Sequence, residues 1–130
     1  MRAIAQTEYG AFAVDLETEE VGPAGDVAAR APEPLDLLLP KVVAAAAAGS
    51  TIVAVVDRKP PLVVSHDAGI TWRETGGGLP PGNAVAIADD DPDLIVYASR
   101  NRLHVSTDGG VFWHALSVEL PAIEAVSLEG

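Results

Sequence analysis

An eight-residue pattern that occurs twice, 41 positions apart, constrains this chain more than any other feature. Ser65-His66-Asp67-Ala68-Gly69-Ile70-Thr71-Trp72 returns as Ser106-Thr107-Asp108-Gly109-Gly110-Val111-Phe112-Trp113. At the same spacing Leu79-Pro80 falls on Leu120-Pro121, Ala84-Val85 on Ala125-Val126, and Lys59 on Arg100. A fixed period of this length marks one supersecondary unit stacked on copies of itself, because a single unit cannot bury its apolar face alone.

Each unit reads as four short strands. In the unit that begins near Pro40, apolar runs at Val42 to Ala48, Thr51 to Val56, Leu62 to Ser65 and Ile70 to Thr75 are separated by turn residues at Gly49-Ser50, Lys59-Pro60 and the octapeptide. The next unit repeats the plan at Ala84 to Ala88, Leu94 to Ala98, Leu103 to Ser106 and Val111 to Val118, with turns at Asp89-Asp90-Asp91-Pro92-Asp93 and Arg100-Asn101. The run Ala44 to Ala48 has high helix propensity. Pro40 nevertheless separates it from Leu35 to Leu39, and the eight residues left before Gly49 are too few for an isolated helix, so the repeat predicts a strand.

A third, degraded unit lies at the start of the chain. At a spacing of 91, Ile4-Ala5 aligns with Ile95-Val96, Phe12 with Leu103, Val14 with Val105, and Asp15-Leu16-Glu17 with Ser106-Thr107-Asp108. Glu19 stands in the place of Gly110 and Gly22 in that of Trp113, so this unit is expected to keep its second and third strands and lose the octapeptide turn. The expected division is one repeat domain: 1–39 as a degenerate unit with an irregular tail over 22–39, 40–81 and 82–120 as full units, and 121–130 as the first strand of a following unit.

The pattern Ser-x-Asp-x-Gly-x-Thr-Trp resembles the Asp-box, or bacterial neuraminidase repeat, of sialidases, sortilin-type receptors, several glycosidases and a photosystem assembly factor. Ser65, Asp67, Gly69, Thr71 and Trp72 match every defining position; Ser106, Asp108, Gly110 and Trp113 match in the second copy, where Phe112 replaces the threonine. The chemistry of these residues is structural. An aspartate in a turn accepts hydrogen bonds from main-chain amides just beyond it, glycine takes backbone angles closed to other residues, and tryptophan supplies buried area. That reading outweighs one in which Asp67 or Asp108 is a catalytic acid or metal ligand.

Serial four-stranded units of about 40 residues predict an all-β fold, a β-propeller, and the resemblance implies the same. Propellers close with 4 to 8 blades, whereas 130 residues hold about three. The expectation is therefore a homodimer of six blades, closed by Pro121 to Leu128 of one molecule pairing with the incomplete first unit of another. A fragment of a longer propeller and an open three-blade stack are the alternatives.

Charge narrows the partners. Nineteen acids against eight bases give a net charge of −11, which disfavours nucleic acid and anionic membranes. The absence of cysteine excludes disulfides and thiolate chemistry and fits a cytoplasmic chain; Met1 to Glu8 is too polar for a secretory signal, and the longest uncharged run is too short to span a bilayer. Arg58, Lys59, Arg100 and Arg102 fall in the turns between second and third strands, while Asp67, Asp89, Asp90, Asp91, Asp93 and Asp108 fall at the opposite rim. This sorting suggests a rim for an anionic ligand or acidic partner.

Asp89 to Asp93 lacks the spacing and glycine of a calcium loop, and His66, His104 and His114 lack ligand spacing, so neither metal nor cofactor is expected. Sialidases are similar to one another in an arginine triad, a tyrosine nucleophile with a glutamate, and an aspartate acid. Tyr9 and Tyr97 are the only tyrosines here, no Phe-Arg-Ile-Pro-type motif occurs, and that set does not map. Serine-hydrolase and phosphate-loop motifs are absent too. A binding or scaffold module, with a small-molecule, carbohydrate or protein ligand, is the favoured reading; a glycosidase or sialidase-like protein acting at the propeller axis is the alternative, and no catalytic residue is assigned.

Overall fold

The computed structural model describes residues 1–24 and 41–129, and among these it contains strands and turns but no helix. Twelve strands form three four-stranded antiparallel sheets. Sheet I is β4 (Val42–Ala48), β5 (Thr51–Val56), β6 (Leu62–Ser65) and β7 (Arg73–Thr75), paired in that order. Sheet II has the same order, β8 (Gly82–Ala88), β9 (Asp91–Ser99), β10 (Leu103–Ser106) and β11 (His114–Ala115). Sheet III joins the two ends of the chain: β12 (Ile123–Glu129) leads, followed by β1 (Arg2–Thr7), β2 (Gly10–Asp15) and β3 (Val21–Pro23).

Period-two alternation explains why sheet II lies between the other two. In β8 and β9, Val85, Ile87, Ile95 and Tyr97 point to one face and pack on Val53, Val55, Leu62 and Val64 of sheet I. Ala84, Ala86, Ala88, Val96 and Ala98 point the other way, onto Ala3, Ala5, Val14, Val126 and Leu128 of sheet III. Both faces of sheet II are thus apolar, and each fully buried Val, Ile or Leu contributes about 1.5–3 kcal/mol. The alanines of β8 keep the contact with β12 close.

The alanine run of β4 is a strand, as the repeat predicts, and β5, β6 and β10 have the expected limits. The fourth strands are shorter than expected: β7 begins at Arg73 and β11 covers two residues, because the octapeptide turn consumes 66–72 and 107–113. The degraded unit does have a fourth strand, β3, where an irregular tail was expected from Gly22; residues 25–39 of that tail lie outside the described residues.

The closing strand requires a larger correction. The pairing expected between two molecules is made within one: β12 pairs antiparallel with β1, from Arg2 opposite Glu129 to Thr7 opposite Ile123. Arg2 and Glu129 form an ion pair at the end of this ladder. The physical reason is concentration: a strand tethered to the same chain competes at an effective millimolar level with any strand from solution.

The 41-residue period also hides compensating changes. Val64 and Val105 are equivalent, yet their partners Val53 and Val96 are 43 apart, and the next partners, Ala46 and Ala86, are 40 apart. The turn from β5 to β6 is longer than that from β9 to β10, whereas β9 bulges by Pro92, Asp93 and Leu94 between the pairs Ala88–Asp91 and Ile87–Ile95. The aspartate run is therefore half turn and half bulged strand.

Candidate functional site

The two octapeptides are built alike. In the first, Ser65 Oγ donates to Asp67 Oδ1 (2.7 Å) and accepts from the Gly69 amide (2.8 Å), while Asp67 accepts from the Thr71 amide (2.8 Å) and the Thr71 hydroxyl (2.5 Å). Those bonds stabilise the carboxylate, and the Thr71 hydroxyl chiefly pulls its pKa down to about 2. In the second, Ser106 Oγ donates to Asp108 Oδ1 (2.8 Å) and accepts from Gly110 (2.9 Å), and Asp108 accepts from the amides of Val111 and Phe112 (3.1 and 3.0 Å). Phe112 supplies no hydroxyl, and its ring is 77% exposed. Asp108 is still held below the usual carboxylate range, first by the Phe112 amide.

The first octapeptide is tied to the β4–β5 turn and the second to the bulge of β9. The amide of Ala68 donates to the Ser50 carbonyl (2.9 Å) and that of Gly109 to the Asp93 carbonyl (3.0 Å). The equivalent residues Ala68 and Gly109 are left-handed, at φ +59° and +72°. Only the second carries glycine, the residue this conformation favours.

The second turn is also locked to its neighbour. Thr75 of β7 donates its hydroxyl to the Gly110 carbonyl, and the Trp113 indole donates both to that carbonyl (3.2 Å) and to Thr75 Oγ1 (3.1 Å). Trp72 donates to the Gly69 carbonyl alone (3.1 Å). A further link joins sheets II and III: Glu19 accepts from the Ser117 amide (2.7 Å) and hydroxyl (3.1 Å), which lowers its pKa. Glu19 takes the left-handed backbone that Gly110 takes, so the degraded turn keeps the bend while losing the pattern.

Antiparallel topology fixes which turns share an end. The β5–β6 turn carries Arg58 and Lys59, and the β9–β10 turn carries Arg100 and Arg102, so all four bases lie at one end of sheets I and II. Arg58, Lys59 and Arg100 are exposed; Arg102 donates to Glu119 (2.7 Å). Asp67, Asp108 and the aspartates of 89–93 lie at the opposite end. A depression of about 250 Å³ there is lined by Val64, His66, Asp67, Thr71, Trp72 and Arg73. Among the described residues no cluster of three metal-ligating side chains occurs, and no helix is long and apolar enough to cross a membrane.

The turn of Arg100 and Arg102 rests on a buried pair that sequence reading missed. Ser99 and His104 lie at 3% and 4% exposure, with Ser99 Oγ and His104 Nε2 3.1 Å apart. The Arg102 carbonyl accepts from both the amide (3.0 Å) and the hydroxyl (3.1 Å) of Ser99. Burial and the nearby Arg102 guanidinium lower the His104 pKa. No spacing in the sequence marks this pair, because it depends on where the β9–β10 turn closes. No protein-family model matches the chain, and no curated protein is significantly similar to it.

Proposed function

We propose that this chain is a non-catalytic binding module of Asp-box propeller type whose ligand, an anion or an acidic protein segment, meets the rim formed by the β5–β6 and β9–β10 turns. The sorting of charge carries the reading: in a chain of net charge −11, Arg58, Lys59 and Arg100 stand exposed at one end while the aspartate-rich turns stand at the other. The octapeptides support a structural role, since Ser65, Asp67, Ser106 and Asp108 spend their polar atoms on their own turns.

In this reading the three sheets are propeller blades, and two copies complete a six-bladed ring by packing their outer sheets face to face, without exchanging strands. Exposed Val43 on β4, at 50%, suits such packing. The module test is titration of a hexaglutamate peptide at low salt. Combined charge reversal of Arg58, Lys59 and Arg100 to Glu is expected to abolish binding, and Asp89→Asn with Asp90→Asn to leave it intact or strengthen it; equal binding by the reversed variant overturns the rim. Light scattering that finds only monomer at micromolar concentration overturns the ring.

A further inference from the structure

The His104 imidazole faces Ser99 and Tyr97 of β9 and lies next to Arg102 of its own turn, which is paired with Glu119. Across from it on β11 stands Ala115, which is uncharged. The Tyr97 ring centroid is 5.8 Å away, and the Tyr97 hydroxyl donates to the Pro80 carbonyl (2.7 Å), not to the imidazole. Ser99 has one proton, directed to the Arg102 carbonyl, so the imidazole supplies the proton between Nε2 and Ser99 Oγ. His104 Nδ1 is then a bare lone pair, buried and without a hydrogen-bond partner.

A buried lone pair is a tolerable orphan; a buried N–H bearing positive charge is not, since it loses its water and gains no acceptor. We infer that His104 is an acid-sensitive pin: neutral, it holds the β9–β10 turn through Ser99, and its protonation releases that turn with Arg100 and Arg102. Among the described residues no carboxylate accepts from His104 Nδ1, and the Arg102 guanidinium repels the added charge. The ring must leave its site to be solvated, and the Ser99 bonds to the Arg102 carbonyl lose their support. The sign follows: a group that is neutral in the fold and protonated when released makes the turn stable above the unfolded histidine range and less stable as pH falls through it.

The consequence for ligands rests on the rim reading above; the pin itself does not. Hydrogen exchange of the Ser99 amide, corrected for intrinsic rates, tests the pin. Protection is expected to fall by up to about tenfold between pH 7.5 and 5.5 in the native chain, the limit for one histidine, and to stay level in His104→Gln, which keeps a donor toward Ser99 and does not titrate. If that variant does not fold, the His104 proton resonance of the native chain decides. Titration at the ordinary 6.5 or above, or unchanged Ser99 protection at pH 5.5, overturns the pin. Hexaglutamate binding is expected to weaken at pH 5.5 in step with exchange. Acid-labile exchange without peptide binding at any pH overturns the rim alone; binding with flat exchange overturns the pin alone.

Discussion

The two octapeptides share a pattern and differ in what holds them. The first is closed from within, by the Thr71 hydroxyl on Asp67, and its tryptophan bonds only its own turn. The second has lost that hydroxyl to Phe112 and is held from outside, by Thr75 of the preceding sheet on Gly110 and Trp113. A turn motif can therefore shift its stabilisation from a side chain within the pattern to one on a neighbouring element, and one eight-residue sequence match covers both arrangements.

The sharpest way to break this contrast is at the glycines. Gly69 and Gly110 are both left-handed, at φ +90° and +94°, so alanine strains either. At Gly110 an added methyl also meets Val64 Cγ2 of sheet I at 3.1 Å, whereas the nearest atom at Gly69 is 3.7 Å away. Gly110→Ala is expected to cost about 3 kcal/mol and Gly69→Ala about 1–2 kcal/mol in denaturant unfolding. Equal losses would show that the second turn owes nothing to sheet I.

The indoles give a smaller test. Trp113→Phe removes a donor shared between two acceptors and also alters an edge-on contact with Tyr97 at 6.5 Å; Trp72→Phe removes a donor to one. Costs of about 2 and about 1 kcal/mol are expected, and Thr75→Val should reduce the first while leaving the second unchanged.

The carboxylates sharpen the comparison without large changes in stability. Carbon-detected titration should place Asp67 near 2, and Thr71→Val should move it up toward 3.8. Phe112→Thr should move Asp108 further down. Because the folded values lie below the unfolded ones, each contribution is present above about pH 3.8 and lost as pH falls toward the folded value. An Asp67 that titrates at 3.8 in the native chain would remove the internal closure.

Much of the fold was legible because strand patterning and the repeat agree. Val42 to Ala48 shows why both were needed: propensity alone favours helix there, and the repeat is what predicts the strand that pairs with β5. The chain's registers were not legible, since the longer β5–β6 turn and the bulge at Pro92 to Leu94 nearly cancel in the period. The partner of β12 was invisible for another reason. Sequence shows that Ile4 lacks a strand beside it, but only geometry shows that residue 127 of the same chain reaches that place. Of the candidate rim, the residues were found and their support was not: Ser99 and His104 gain their meaning from burial and from a turn whose closure the spacing does not reveal.

The pairing of β12 with β1 also orders events during synthesis. Residues 2 to 15 leave the ribosome well before their ladder partner, which is made only after sheets I and II have had time to assemble. Until then the early hairpin has a bare hydrogen-bonding edge and an unburied apolar face, the kind of surface that holdase chaperones bind. Ribosome stalling anywhere before residue 123 would leave the nascent polypeptide in that sticky state.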